Sequence, residues 1–313
     1  MPARRHAEQL FRCERVCCFV ARSMKSFFVN FPLTRKGWAT QLLSKVAVLR
    51  MHFSLGPRKI KVSCAFLNFA LATAAHAQWT PVSSETERSP VRGLEHRYLV
   101  FENTATGERV SAELAIFSTK WCRLRIIDQP SEERVDLSEM MEREKCLAGV
   151  NGGYFDPDYN PIGLVVADGK TIAPLRKARL LSGVLLSSGG KIQILRVAEF
   201  SSQQKIDAAI ECGPMVVDLA KPVHGLEATR PARRTFAAVA ADGRGAIGFC
   251  SDATLSDLAS ILATPFASDF KIQRALNLDG GSSSAFWFKR ANGSAFSIAE
   301  EKTVRDFVTI VPR

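Results

Sequence analysis

The stretch Leu181-Ser-Gly-Val-Leu-Leu-Ser-Ser-Gly-Gly-Lys-Ile-Gln-Ile-Leu-Arg-Val197 decides the fold class. Two apolar runs, Leu181–Leu186 and Ile192–Val197, flank Ser188-Gly189-Gly190. Twin glycines reach the positive φ values of a tight reversal, so the segment reads as two antiparallel strands joined by a hairpin turn. The same grammar recurs on either side. Ile162–Ala167 runs into Asp168-Gly169, and Thr235–Ala240 and Ala246–Cys250 flank Asp242-Gly243. Tyr98–Phe101, Val110–Phe117, Trp121–Ile127, Ser284–Phe288 and Phe307–Val311 have the β-branched and aromatic content of further strands. Helix signals are few. Asp136–Lys145 is charged and lacks breakers, and Thr254-Leu255-Ser256-Asp257 is a capping-box variant that opens a helix to Ala263. Hairpin-linked strands with so few helices predict an α+β fold with a mainly antiparallel or mixed β-sheet in a single domain. A doubly wound fold would need helices between most strands.

The N-terminus is of another kind. Lys59 and Lys61 precede the uncharged stretch Val62–Ala75, and Ala75-His76-Ala77 places small residues before Gln78. This is the layout of a secretory signal peptide, too short for a membrane span, and Met51–Ala77 is read as one. Residues 1–50 are then either a mis-assigned start or a basic extension. Residues 78–95 read as a linker or disordered stretch, because Thr80–Pro90 is polar and rich in Ser and Glu. Residues 96–313 form the expected domain. The expected location is outside the cytoplasm, periplasmic or secreted.

Charge follows the same division. The whole chain has 42 Lys+Arg and 31 Asp+Glu, a formal charge of +11; residues 1–77 hold 13 and 2 of these, leaving 29 of each in Gln78–Arg313. Nucleic-acid binding rests on an excess of clustered cations, so the basic balance of the full chain argues for no such partner. Four cysteines follow the leader, Cys122, Cys146, Cys212 and Cys250. An oxidising compartment permits disulfides among them, Cys212 with Cys250 for instance, and spacing alone does not choose a pairing. No Cys pair has zinc-ligand spacing, and His96 and His224 stand apart from other ligand types, so no metal site is assigned; a divalent cation held by carboxylates and carbonyls stays an open alternative.

Four short segments carry candidate chemistry. In Asn277-Leu-Asp-Gly-Gly-Ser-Ser-Ser284 an apolar strand delivers one carboxylate to its tip, followed by Gly280, Gly281 and Ser282, whose N–H groups can line an anion-binding concavity. In Asn151-Gly-Gly-Tyr-Phe-Asp156 an amide precedes two glycines, Gly152 and Gly153; Asp156 reads as the start of an Asp-Pro-Asp turn. Glu211-Cys-Gly-Pro-Met-Val-Val217 makes a sharp entry into a strand beside a carboxylate. Arg230-Pro-Ala-Arg-Arg-Thr235 places three guanidinium forks, suited to phosphate oxygens, before another strand.

Taken in chain order and at approximately this spacing, the four segments resemble the phosphodiester glycosidase family, from about Ala112 to the C-terminus. The resemblance implies a hydrolase acting on a sugar-1-phosphodiester, with functional roles for Asn151, Gly152, Arg234, Asp279 and Gly280. Arg234-Thr235 aligns with the Arg-Thr pair of the family, and Ser282 stands where the family often has a third glycine. On this reading Asp279 is a base or a stabiliser of positive charge at the anomeric carbon. Arg234 and the amides of Gly152, Gly153, Gly280, Gly281 and Ser282 hold phosphate. Asn151 orients an oxygen, and Glu211 is the second carboxylate. The expected partner is a glycosyl-phosphodiester or glycan, with no cofactor. Two rivals stand beside it: a glycan-binding envelope protein that stacks sugars on Tyr154, Phe155 and Trp287, and a phosphodiesterase that cuts on the other side of phosphorus.

Overall fold

A computed structural model of the chain describes residues 79–130, 133–203 and 205–313. The expected N-terminal extension and signal peptide lie outside the described residues. In chain order the elements begin β1 (Trp79–Arg88), β2 (Leu94–Asn103), β3 (Arg109–Phe117), β4 (Cys122–Asp128), α1 (Leu137–Arg143), β5 (Ala148–Asn151), β6 (Val165–Ala167), β7 (Lys170–Ala173), β8 (Gly183–Ser188) and β9 (Lys191–Arg196). They continue β10 (Ala208–Cys212), β11 (Met215–Asp218), β12 (Lys221–Pro222), β13 (Ala232–Ala240), β14 (Gly245–Ala253), α2 (Leu255–Ala263), β15 (Ile272–Asn277), β16 (Phe286–Lys289), β17 (Ala295–Ile298) and β18 (Asp306–Pro312).

The strands form three sheets, and every pairing between them is antiparallel. The largest runs β1-β2-β3-β14-β13-β15-β11-β12; the others run β7-β6-β10-β8-β9 and β17-β16-β5-β18-β4. The expected hairpins are present. Asp168 and Gly169 take φ of 47° and 78° between β6 and β7, and Gly189 and Gly190 take 56° and 77° between β8 and β9. Positive φ at both central positions is the turn whose twist matches that of paired strands.

Alternation along the strands builds two cores from one sheet. Ala115 and Phe117 of β3, Ala237 of β13 and Ile247 and Phe249 of β14 face a core shared with Ile126 and Ile310 of the β4–β18 sheet and Leu185 and Ile210 of the β8–β10 sheet. Leu114, Ile116, Phe236, Ala238 and Ala246 face the other way, against Leu258, Ile261 and Leu262 of α2. That helix starts as its sequence predicts. The Thr254 hydroxyl accepts the Asp257 N–H at 3.1 Å, and the Asp257 carboxylate accepts the Thr254 N–H at 3.3 Å. The shorter α1 is capped by Asp136 and lays Leu137, Met140 and Met141 on the outer side of β16 and β18 with Trp287 and Phe307.

The expected linker is a strand. Trp79–Arg88 pairs along its length with β2, and Trp79 is buried with its indole N–H donated to Asp257 at 3.1 Å. An edge strand held by main-chain bonds needs little apolar periodicity, so its polar composition looks like that of a loop. The four described cysteines are buried free thiols, and the Cys212–Cys250 disulfide is not formed.

The central strands are tightly packed at Gly248, where a Cβ would meet the Phe236 ring at 2.4 Å and the Glu113 carbonyl at 2.6 Å. Gly248→Ala is expected to destabilise the domain by about 1–3 kcal/mol through overpacking, measured as a lower midpoint in urea with an unchanged m-value.

Candidate active site

The ends of β5, β10 and β15 and the starts of β13 and β18 meet at one place. Register makes this so: Phe307 of β18 pairs with Asn151 of β5, and Phe236 of β13 pairs with Asn277 of β15. The Leu278 N–H donates to the Thr235 carbonyl at 2.8 Å, carrying the chain from β15 past β13. The Asn277 amide and the Tyr154 hydroxyl both donate to the Gly213 carbonyl, at 3.0 and 2.6 Å. All four sequence segments therefore converge.

Asn151 sits at their centre and is fully buried. Its Nδ2 donates to the Asp279 carbonyl at 2.8 Å. Its Oδ1 accepts the Thr235 hydroxyl at 2.6 Å and the Ala285 N–H at 3.1 Å. The Asp279 N–H in turn donates to the Gly152 carbonyl at 3.0 Å. The residue carrying the candidate base is thus gripped at both its N–H and its C=O. Asn151, expected to orient substrate, spends its polar atoms on the protein.

The Asp279 carboxyl is partly exposed, with Oδ1 accepting the Gly280 N–H at 2.9 Å. Burial raises its pKa above the ordinary aspartate value; the Ser283 hydroxyl, the Gly280 N–H and the charge of Lys302 act in the opposite direction. Lys302 lies over the Phe155 ring at 5.4 Å and is a cation of this site that no sequence motif marked. Gly281–Ser283 form a single 3₁₀ turn, with Gly281 at φ 65°. As first residues of that turn, which follows Asp279, Gly281 and Ser282 have no carbonyl inside it for their N–H groups.

Arg234 reaches the same turn. Its Nε donates to the Ala253 carbonyl at 2.8 Å and its Nη2 to the Arg230 carbonyl at 2.9 Å. Its Nη1 lies 3.8 Å from the point where a Cβ on Gly280 would stand. Burial lowers the guanidinium pKa, opposed by Glu227, yet an arginine stays charged. Arg233 does other work: it donates to the carbonyls of Ser284 and Ala299 and pairs with Glu301 at 3.1 Å, tying down the chain beyond the turn.

Several expectations change. The Gly152 and Gly153 amides are occupied, donating to the Asp306 carbonyl at 2.9 Å and to Asp306 Oδ1 at 2.8 Å, so they are not phosphate donors. Glu211 is buried, and its Oε2 accepts the N–H groups of Leu164 and Arg176, both at 2.9 Å. That is the arrangement of a carboxylate anchoring two loops, with its other oxygen, Oε1, buried and without a hydrogen-bond partner. Asp156 forms the turn that its Asp-Pro-Asp context suggests, accepting from Asp158 and Asn160. Trp287 is buried, so it offers no sugar-stacking face, and Phe155 is stacked on Tyr159 at 5.0 Å. Asp306, the carboxyl beneath the glycines, went unmarked; its one signal is a lone acid opening an apolar strand. Among the described residues no group of three or more His, Cys, Asp or Glu is placed to hold a metal ion.

Asn151→Ala leaves the Thr235 hydroxyl, the Ala285 N–H and the Asp279 carbonyl without their partner. Each orphaned buried group costs about 1–3 kcal/mol, so the variant is expected to unfold at clearly lower temperature in a thermal melt. Thr235→Val, which removes one of the two donors to Asn151 Oδ1 and leaves the Ala285 N–H in place, is expected to lose less.

The sequence pattern of the phosphodiester glycosidase family matches residues 144–311. The uncharacterized protein YigE of Escherichia coli (strain K12) is 27% identical over 89 residues, 26% of this chain and 35% of that protein. The chain therefore spans about a third of the length of this curated relative. Among solved structures, the catalytic domain of zebrafish N-acetylglucosamine-1-phosphodiester alpha-N-acetylglucosaminidase, auto-inhibited by its pro-peptide, is similar with a TM-score of 0.56 and 15% identity, covering 75% of this chain and 89% of that one. A hypothetical protein from Synechocystis is similar with a TM-score of 0.52 and 13% identity, covering 75% and 68%. At such identities these two likenesses are of fold. The family match covers more than half of the chain, and its bounds enclose Asn151, Arg234, Asp279 and Asp306; on that ground the chain belongs to the phosphodiester glycosidase family.

Proposed function

We propose that this protein hydrolyses a sugar-1-phosphodiester between the anomeric carbon and the phosphate oxygen. The observation that carries the reading is the placement of the partly exposed Asp279 carboxyl, with its pKa raised by burial, at the foot of the Gly280–Ser283 turn that Arg234 Nη1 approaches. A base and an anion-holding surface then share one edge. Arg234, the Gly281 and Ser282 N–H groups and Lys302 hold the phosphate and balance the charge that gathers on it as the bond breaks. Water attacks the anomeric carbon and gives its proton to Asp279. The carbon–oxygen bond breaks with its electron pair going to the phosphate oxygen. A free sugar and a phosphomonoester result. A phosphate is already a good leaving group, so the reaction does not require a second exposed carboxyl, and the sealed position of Glu211 is compatible with it.

The leader-like segment before Gln78 supports a place outside the cytoplasm, where a phosphate-linked glycan or envelope polysaccharide is the substrate class of choice. Among the described residues no helix is long and apolar enough to cross a membrane.

With a synthetic glycosyl-phosphodiester, free sugar is the expected product; release of sugar-1-phosphate would point to cleavage on the other side of phosphorus. Asp279→Asn is expected to lower kcat about 10²–10⁴-fold with an unchanged thermal midpoint. Because the Asp279 carboxyl must be ionised to accept the proton and its pKa is raised, activity should fall with decreasing pH while still above about 4, the range of a free aspartate. A limb at or below that value would remove Asp279 as the base. Arg234→Lys, which keeps charge and loses the fork, should raise KM for the diester more than it lowers kcat.

A further inference from the structure

We propose that Asp306 is a positioning residue of the Asp279 centre, holding the Gly152–Gly153 turn in its working shape only as the neutral acid. The inference rests on the reading of Asp279 as the base. Asp306 grips the turn twice, through its carbonyl on the Gly152 N–H at 2.9 Å and its Oδ1 on the Gly153 N–H at 2.8 Å. The turn grips Asp279 through the Gly152 carbonyl at 3.0 Å. The fit is close, since a Cβ on Gly152 would fall 1.9 Å from Asp306 Oδ1. The carboxyl is 1% exposed, and its Oδ2 is buried without a hydrogen-bond partner.

A buried carboxylate with one oxygen unpaired is costly, whereas a carboxylic acid presents an acceptor to Gly153 and keeps its proton on the other oxygen. The charged and titratable neighbours agree. Asp128, opposite on β4, and Asp279 both disfavour ionisation, and Cys212 faces the two aspartates from β10 as a buried thiol. Arg305 favours ionisation, but its guanidinium is committed to Asp128 at 2.7 and 3.1 Å and to the Tyr159 carbonyl at 2.9 Å. Burial is the largest influence and pushes the Asp306 carboxyl up to about 7. Loss of that proton to solvent places an uncompensated negative charge directly under the turn and beside ionised Asp279. The two aspartates then titrate as a pair, Asp279 giving the acid limb of activity and Asp306 the alkaline limb.

The experiment compares full-length wild type with Asp306→Asn, whose amide keeps an acceptor for Gly153 and cannot ionise. With a glycosyl-phosphodiester substrate, wild-type kcat/KM should fall about tenfold for each pH unit above about 7, following one proton; in Asp306→Asn this limb should be absent, whatever the height of its plateau. An alkaline limb of the same position in both proteins overturns the proposal. If wild type hydrolyses no such substrate, the functional reading fails and Asp306 is read by stability. A carboxyl with its pKa raised in the folded state stabilises the fold fully below about 4 and loses that contribution as pH rises to about 7. The melting temperature of Asp306→Asn relative to wild type should therefore rise between pH 5 and pH 8, and a constant difference overturns the proposal. Should the variant not fold, infrared titration of wild type decides: a buried carboxylic-acid C=O band lost near pH 7 supports it, and no protonated carboxyl at pH 6 overturns it.

Discussion

The side-chain amide of Asn151 makes three hydrogen bonds, two of them buried and one partly buried, and the candidate site depends on them. One amide spans three separate pieces of chain: it donates to the loop carrying Asp279, accepts from Thr235 of β13, and accepts from the Ala285 N–H where that loop rejoins a strand. Each of these groups has this amide as its hydrogen-bond partner, so the loops hold their relative positions against a cost of orphaned polar atoms. A carboxylate or an aliphatic side chain of similar size could not serve both a carbonyl and two donors. The residue type follows from this need, since Asn supplies donor and acceptor on one rigid plane.

Electrostatics separates the two aspartates that lie against the Gly152–Gly153 turn. Asp279 is partly exposed and has the Gly280 N–H and the charge of Lys302 to favour its ionised form. Asp306 is sealed, with one N–H and an arginine already engaged elsewhere. Environments that push two like groups apart give them different protonation states at one pH. Gly152 makes the contact possible, since any side chain there would occupy the space of the Asp306 carboxyl.

Much of the fold was legible because antiparallel hairpins are local. Asp168-Gly169 and Gly189-Gly190 announce their turns by residue type, and Thr254 with Asp257 announces a helix start within one turn of chain. β1 was not legible: an edge strand exposed on both faces has no period-2 pattern, and its polar residues imitate a linker. The four chemistry-bearing segments are recognisable by their glycines and charged residues, but the partners of their polar groups are not. Glu211 and Asn151 carry functional groups, yet whether such a group faces solvent or a neighbouring loop is set by residues distant in sequence.

The hairpin grammar, the charge difference between the leader-like segment and the rest, and a carboxylate followed by an anion-suited turn can each be read from the chain alone, because each is written in neighbouring residues. Long-range packing is what gives the Gly152 and Gly153 amides to Asp306, makes Glu211 an anchor of loops, and brings Arg234 Nη1 towards the turn after Asp279. Those outcomes depend on burial and on hydrogen-bond partners far apart in the chain, 153 residues for Gly153 and Asp306, and no local pattern encodes which of several possible partners a polar group will find.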